Sequence, residues 1–194
     1  WGDNVAGALG RDSGGEPVGT VRSFDGPNVV NGRLYAGTSH VCARTYDRFL
    51  CWGRNDFGQA SPDSTDDPVL PTTLDLVAIE LALGERHTCA IENGTGVVLC
   101  WGANDSGQLG DGTEVDRRTP APVSGLTNAT AIVATSNLEG AAGDATCAIV
   151  DGGEVWCWGY NREGQLGNPT SDFSAVPLRV VGLPRADAIW AGAT

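Results

Sequence analysis

Between residues 77 and 84, large apolar side chains alternate with small or polar ones: Val77-Ala78-Ile79-Glu80-Leu81-Ala82-Leu83-Gly84. A period of two is that of a β-strand with one buried face. Two more apolar runs follow, His87-Thr88-Cys89-Ala90-Ile91 and Val97-Val98-Leu99-Cys100-Trp101, and the turn residues Gly94-Thr95 lie at their midpoint. The pair reads as a hairpin. A proline-bounded extended piece, Thr119-Pro120-Ala121-Pro122-Val123, ends the unit, and proline is tolerated where a strand edges a sheet. Four short antiparallel strands in about 50 residues make one blade of a β-propeller. The inner-strand pattern of 77–84 returns at Ala131-Ile132-Val133-Ala134 and at Ala188-Ile189-Trp190-Ala191-Gly192.

The polar connections repeat as well. Trp1-Gly2-Asp3-Asn4, Trp52-Gly53-Arg54-Asn55, Trp101-Gly102-Ala103-Asn104 and Trp158-Gly159-Tyr160-Asn161 are near-copies, spaced by 51, 49 and 57 residues. Each runs on to a glycine three residues past the Asn, as in Gly107-Gln108-Leu109-Gly110 and Gly164-Gln165-Leu166-Gly167. A period of this size means one supersecondary unit stacked on itself. The expectation is an all-β chain, 1–194 forming one segment of a propeller of four-stranded antiparallel blades. Its repeats run over 1–51, 52–100, 101–157 and, partially, 158–194. Three cystine-type hairpins serve four Trp-Gly turns, so the expected ring is incomplete, about four blades' worth. Further chain or another subunit is expected to complete it, because an open arc exposes sheet edges and apolar faces. The long 57-residue step carries extra residues around 135–143, expected as a longer loop of the kind propellers use for binding.

Composition agrees with many tight turns. The 194 residues include 28 Gly and 10 Pro, which disfavours long helices. No apolar run approaches a membrane span, and since the sequence opens inside a repeat, any targeting segment is expected to have been removed or to lie upstream. Net charge is −12 and all 12 basic residues are Arg. That balance opposes binding to nucleic-acid phosphates or anionic membrane. A cationic protein or calcium would suit it, but no dedicated cofactor site is evident. Asp63-Ser64-Thr65-Asp66-Asp67 is the densest acidic run and lacks the order of a calcium loop. Asp66 and Asp67 are retained as candidate binding-surface residues.

The six cysteines pair off upstream of Trp-Gly: Cys42 with Cys51, Cys89 with Cys100, Cys147 with Cys157. Six cysteines allow 15 pairings, and the hairpin symmetry selects a disulfide within each hairpin. Folding at the midpoint sets the two cysteines opposite one another, within bridging distance. Zinc is the competing reading, but it prefers ligands two to four residues apart and four that converge. Closing a ring of about ten residues contributes roughly 2–3 kcal/mol in the chain-entropy picture. Three such staples predict an oxidising setting: extracellular, cell-surface or periplasmic.

The run His-x-Cys-Ala, then Cys-Trp-Gly-x-Asn-x-x-Gly-Gln-Leu-Gly, resembles the repeat of the regulator-of-chromosome-condensation family, in its bacterial and secreted branches. The resemblance covers nearly the whole chain. It implies a propeller, commonly of seven blades, whose members mostly bind other proteins. One member is a nucleotide-exchange factor for a small GTPase on chromatin, and a secreted one inhibits β-lactamases. The paired cysteines and acidic charge depart from the nuclear pattern, and the exchange factor's contacts cannot be carried onto positions here.

The remaining conspicuous residues have architectural readings. Trp1, Trp52, Trp101 and Trp158 could form a carbohydrate platform, but their regular spacing assigns them to packing between blades, each N–H meeting a carbonyl. Trp156 and Trp190 break the pattern and are candidates for a surface or edge. Asn4, Asn55, Asn104 and Asn161 are expected to bridge the turn after the Trp strand. His40 and His87 occupy equivalent positions where the third copy has Ala145, so a catalytic base is not expected; backbone hydrogen bonding at a turn is. Asn93-Gly94-Thr95, Asn104-Asp105-Ser106 and Asn128-Ala129-Thr130 have the form of glycosylation acceptors. No nucleophile–base or paired-carboxylate set assembles. The expected function is therefore a secreted or surface propeller that binds a protein without catalysis. Its alternatives are a building block of an extracellular fibre or adhesin, and an enzyme inhibitor.

Overall fold

The computed structural model describes residues 33–46, 48–135 and 143–192. Twelve strands lie among them, in three antiparallel four-stranded meanders. The first sheet holds β1 (Leu34–Ala36), β2 (His40–Arg44), β3 (Phe49–Gly53) and β4 (Val69–Leu74). The second holds β5 (Ala78–Leu83), β6 (His87–Glu92), β7 (Val98–Gly102) and β8 (Arg117–Pro122). The third holds β9 (Ala129–Ala134), β10 (Ala145–Val150), β11 (Glu154–Gly159) and β12 (Ser174–Arg179). The described residues contain no helix long and apolar enough to cross a membrane.

Each sheet is a propeller blade, its strands running in chain order from the axis outward. The blades are out of phase with the Trp-to-Trp periods: each Trp-Gly ends a third strand, so a boundary at 52, 101 or 158 cuts through a sheet. The outermost strands carry Pro71, Pro120, Pro122 and Pro177, which keep a free edge from templating further pairing. Residues 188–192 form no strand, but their first four line the same axial cavity as β1, β5 and β9. Of the extra residues around 135–143, only Thr135 and Gly143 are among those described. Trp1 and Asn4 lie outside them.

The middle hairpins pair Cys42 with Cys51, Cys89 with Cys100 and Cys147 with Cys157 directly across the ladder. All three pairs are disulfides with Cα atoms 4.1 Å apart. Every third strand then slips register against the fourth at its Trp, between Cys51 and Gly53, Cys100 and Gly102, Cys157 and Gly159. The glycine beyond each slip is required. Gly53 has φ 107°, and an added Cβ would lie 2.6 Å from the Ser39 carbonyl oxygen. At Gly159 the φ is 98° and the Asp144 carbonyl is as close.

Side chains alternate across each sheet, so the core lies between blades. Tyr35, Phe49, Val69 and Leu74 from the first blade meet Leu81, Leu83, Ala90 and Trp101 from the second. Ile91, Val98, Leu109 and Val123 from the second meet Ile132, Ala148 and Trp158 from the third. Beyond the third blade a smaller cluster of Ile149, Val155, Cys157 and Leu166 is overlaid by Ala186 and Ile189.

Candidate functional site

The repeated polar residues converge on the boundaries between blades. Each Asn-x-x-Gly stretch is a tight turn, closed by Gly58 N–H to the Asn55 carbonyl, Gly107 N–H to Asn104 and Gly164 N–H to Asn161, each at 2.9 Å. The Asn side chain then organises the loop beyond. Asn55 Oδ1 accepts from the N–H of Ala60 and Ser61, while its Nδ2 donates to the carbonyls of Ser64 and Asp66. Asn104 holds Leu109, Thr113 and Val115 in the same way, and Asn161 holds Leu166 and Thr170. All three Asn are buried.

The Gln after the turn folds its side chain back onto it. Gln59 accepts from Phe57 N–H and donates to Asp56; Gln108 accepts from Ser106 N–H and donates to Asp105. The Gln backbone carbonyl is left facing the next blade, where two donors reach it. The Gln59 carbonyl accepts from Thr88 Oγ1 at 2.8 Å and from Trp101 Nε1 at 3.2 Å. The Gln108 carbonyl accepts from Thr146 Oγ1 at 3.1 Å and from Trp158 Nε1 at 2.8 Å. Trp101 and Trp158 are wholly buried and Trp52 nearly so.

The histidines belong to these seams rather than to turns. The expectation that they bond local backbone is corrected: a backbone turn closes beside each, but the rings reach into the neighbouring blade. His40 Nε2 lies 2.7 Å from Thr88 Oγ1, and His87 Nε2 lies 2.9 Å from Thr146 Oγ1. His87 Nδ1 also meets Asp144 Oδ2 at 3.0 Å, and the same oxygen accepts the N–H of Glu85 and of Arg86. His40 Nδ1 is buried with no partner. Burial, with the neighbouring His87, pushes His40 down to about 3, so this ring is neutral. Burial opposes the charge of Asp144, yet the His87 ring and the Arg86 N–H hold its carboxyl below the usual carboxylate range. Asp144 and the two threonines carry no repeat-wide signature in sequence; only Thr88 and Thr146, both one residue past the histidine position, could have hinted at the rung.

Several candidates fall elsewhere. Asp67 is exposed, but its carboxylate accepts the Asn55 N–H at 2.7 Å, a device repeated by Asp116 on Asn104. Asp66 is exposed, its N–H donating to Ser64 Oγ. Trp190 is 85% exposed. Trp156, expected at a surface or edge, is half-buried and packs against the core between the second and third blades, on the Trp158 face of β11. Of the three glycosylation-type sequences, Asn93 lies exposed at a hairpin tip, whereas Asn104 is buried with its amide in use.

Two surfaces are left after the seams are assigned. One is the axial cavity of about 500 Å³, walled by inner strands and by residues 187–191, with the Arg33–Glu80 ion pair at 2.7 Å on its side. The other is the outer flank of the third blade, where Phe173, Val176, Val181 and Leu183 are exposed. Among the described residues, no group of three or more His, Cys, Asp or Glu is placed to hold a metal ion.

The Regulator of chromosome condensation (RCC1) repeat matches residues 95–137 and 152–194, and a second form of the same repeat matches 78–108. The human E3 ubiquitin-protein ligase HERC2 is 29% identical over 191 residues, 94% of this chain but 4% of HERC2. The ultraviolet-B receptor UVR8 of Arabidopsis thaliana is 33% identical over 187 residues, 93% of this chain and 41% of the receptor. The chain thus spans less than half of either relative. Among solved structures, Prp20p of Saccharomyces cerevisiae, described with binding properties to Gsp1p and histones, superposes with a TM-score of 0.74 at 22% identity. That match covers 93% of this chain and 45% of Prp20p. Human WBSCR16 superposes with a TM-score of 0.69 at 21% identity, over 91% of this chain and 45% of that one.

Proposed function

The chain belongs to the RCC1 repeat family, and from that premise we propose that it serves as a disulfide-stapled protein-binding propeller of an oxidising compartment, secreted or on a cell surface, without catalysis of its own. One observation carries the reading. Among the described residues, the histidines, Asn55, Asn104, Asn161, Asp144 and all six cysteines are buried or half-buried in the seams, turns and cystines that hold the blades together. Recognition is left to the loops, as is usual on a rigid scaffold. Similar propellers meet protein partners: Prp20p is described with Gsp1p and histones, and the same yeast RCC1 with Kap60. The net charge of −12 favours a partner with a basic surface.

The test has two arms. Mass spectrometry without reductant should find all six cysteines of the secreted chain oxidised; free thiols in freshly isolated material would overturn the compartment. The oxidised chain, immobilised, should retain a protein from the extracellular fraction of its source and lose it in high salt. Retention of nothing across repeated captures overturns the binding role.

A second reading is favoured by the exposed apolar residues on the third-blade flank. Exposed apolar side chains gathered on one flank suit an assembly surface. There the chain would join further repeats, in a longer polypeptide or in a fibre. Light scattering should then show association rising with concentration and abolished by Val181→Ser; dispersed monomers at all concentrations count against it.

A further inference from the structure

We propose that Asn93 is a site of spontaneous modification: the Gly94 amide nitrogen closes on the Asn93 side-chain carbonyl, and hydrolysis of that ring leaves aspartate or isoaspartate at the tip of the second blade.

The reaction asks three things of an asparagine. Its side chain must be free to swing, the next residue must carry an N–H, and neither bulk nor a hydrogen bond may hold that nitrogen away. Six asparagines lie among the described residues, and five fail. Asn55, Asn104 and Asn161 are buried, their amides bonded within the loops that follow the Trp strands. Asn168 precedes Pro169, which has no N–H to attack with. Asn128 precedes Ala129, whose N–H is held by the Gly96 carbonyl at 2.9 Å.

Asn93 meets all three conditions. Asn93, Gly94 and Thr95 are exposed at the turn between β6 and β7. The backbone bonds that close this tip run from Asn93 N–H to the Val77 carbonyl and from Gly96 N–H to the Glu92 carbonyl, and they leave out the Gly94 N–H. Gly94 has φ 85°, and a Cβ added there would meet nothing within 4 Å. Lacking a Cβ, it can swing its nitrogen toward the carbonyl with little hindrance. Asp111-Gly112 shows how the fold blocks the same approach, since its carboxylate is held by Thr113 and Arg117. The aspartate product already has a counterpart. The third blade carries Asp151-Gly152 at the equivalent tip, where Asp151 N–H bonds the Asn128 carbonyl at 3.0 Å as Asn93 N–H bonds that of Val77 at 3.0 Å. A carboxylate at this place is compatible with the hairpin.

In the first step the bond between Gly94 N and Asn93 Cγ forms and the Cγ–Nδ2 bond breaks. The amide nitrogen leaves as ammonia, taking the Gly94 proton. Water then adds across one of the two carbonyl–nitrogen bonds of the ring. Opening on the side-chain carbonyl gives aspartate, and opening on the main-chain carbonyl gives isoaspartate with its longer backbone. Nothing is oxidised or reduced. Either product adds a negative charge beside Glu92.

The test uses the oxidised chain made in a bacterial host, so that no glycan occupies the Asn93 amide. Incubated warm and digested without reductant, it should show aspartate and isoaspartate at this position, the isoaspartate read by methyltransferase labelling. When half of Asn93 has been converted, Asn55, Asn104, Asn128, Asn161 and Asn168 should be intact. The rate should rise from neutral to mildly alkaline pH, because the attacking nitrogen must give up its proton. Gly94→Ala should slow conversion severalfold. Should that variant fail to fold, the order of conversion and the rise with pH in the wild-type chain decide. An intact Asn93 after any of the other five has reacted, a rate flat with pH, or an equal rate in folded Gly94→Ala overturns the assignment.

Discussion

The first and second seams are built from the same parts and differ in one residue. In both, a Gln carbonyl receives a Thr hydroxyl and a Trp indole from the next blade, and a buried His Nε2 meets that Thr. The residue just before the second strand of the incoming blade is Arg86 at the first seam and Asp144 at the second. Arg86 turns outward to Asp105 and Phe57 and leaves His40 Nδ1 without a partner; Asp144 turns inward and takes His87 Nδ1. One substitution in a neighbouring blade thus separates a histidine whose Nδ1 has no partner from one whose Nδ1 meets a carboxylate. Position in the repeat does not determine the ring's partners; the facing blade does.

The comparison can be broken most severely at the indoles. Trp101→Ala and Trp158→Ala each remove a fully buried ring and the N–H that meets a Gln carbonyl, and each should cost about 3–5 kcal/mol. Urea melts check this, and equal losses would show that the shared parts dominate both seams. Glycine substitution sharpens the contrast between a covered turn and an open one. At Gly107, φ 72°, an added Cβ would lie 2.6 Å from Ala175 Cα in the next blade, whereas at Gly164, φ 80°, it would meet nothing within 4 Å. Gly164→Ala should cost about 1–2 kcal/mol of left-handed strain alone, and Gly107→Ala clearly more. Equal melting temperatures for the two variants would contradict the packing.

A smaller loss, about 1–3 kcal/mol, is expected for Thr88→Val or Thr146→Val, which keep the shape but leave the His Nε2 without its hydroxyl partner. The acid limb gives the finest test. His40 is held neutral down to about 3 against an unfolded value near 6.5. The unfolded chain binds the extra proton between these values, so stability from this site is full above about 6.5 and declines as pH falls toward 3. His40→Gln should flatten that part of the pH–stability curve, as followed by denaturant midpoints. A curve that stays as steep in the variant would assign the acid limb elsewhere.

Much of this architecture was legible in local sequence. Period-two runs such as 77–84 mark strands because side chains alternate across a sheet, and hairpin symmetry places Cys89 opposite Cys100. The prolines of β8 mark an edge because they lack the N–H of an inner ladder. Trp156 lies off the Trp-Gly pattern, yet alternation puts it on the same face of β11 as Trp158, where it is half-buried. Asp67 looked like part of a solvated acidic run, but its equivalence with Asp116 emerges only when both are seen on an Asn backbone N–H.

By itself, then, the sequence determined what depends on neighbours along the chain: strands, hairpin cystines, Asn-x-x-Gly turns and the stacking of one unit on the next. Only the tertiary structure decided the chemistry of the seams. His40 reaches a threonine 48 residues away, and His87 reaches partners 57 and 59 residues away. Burial and proton state are set by what faces a side chain across the seam, and that register is fixed by the packing of whole blades rather than by any local pattern.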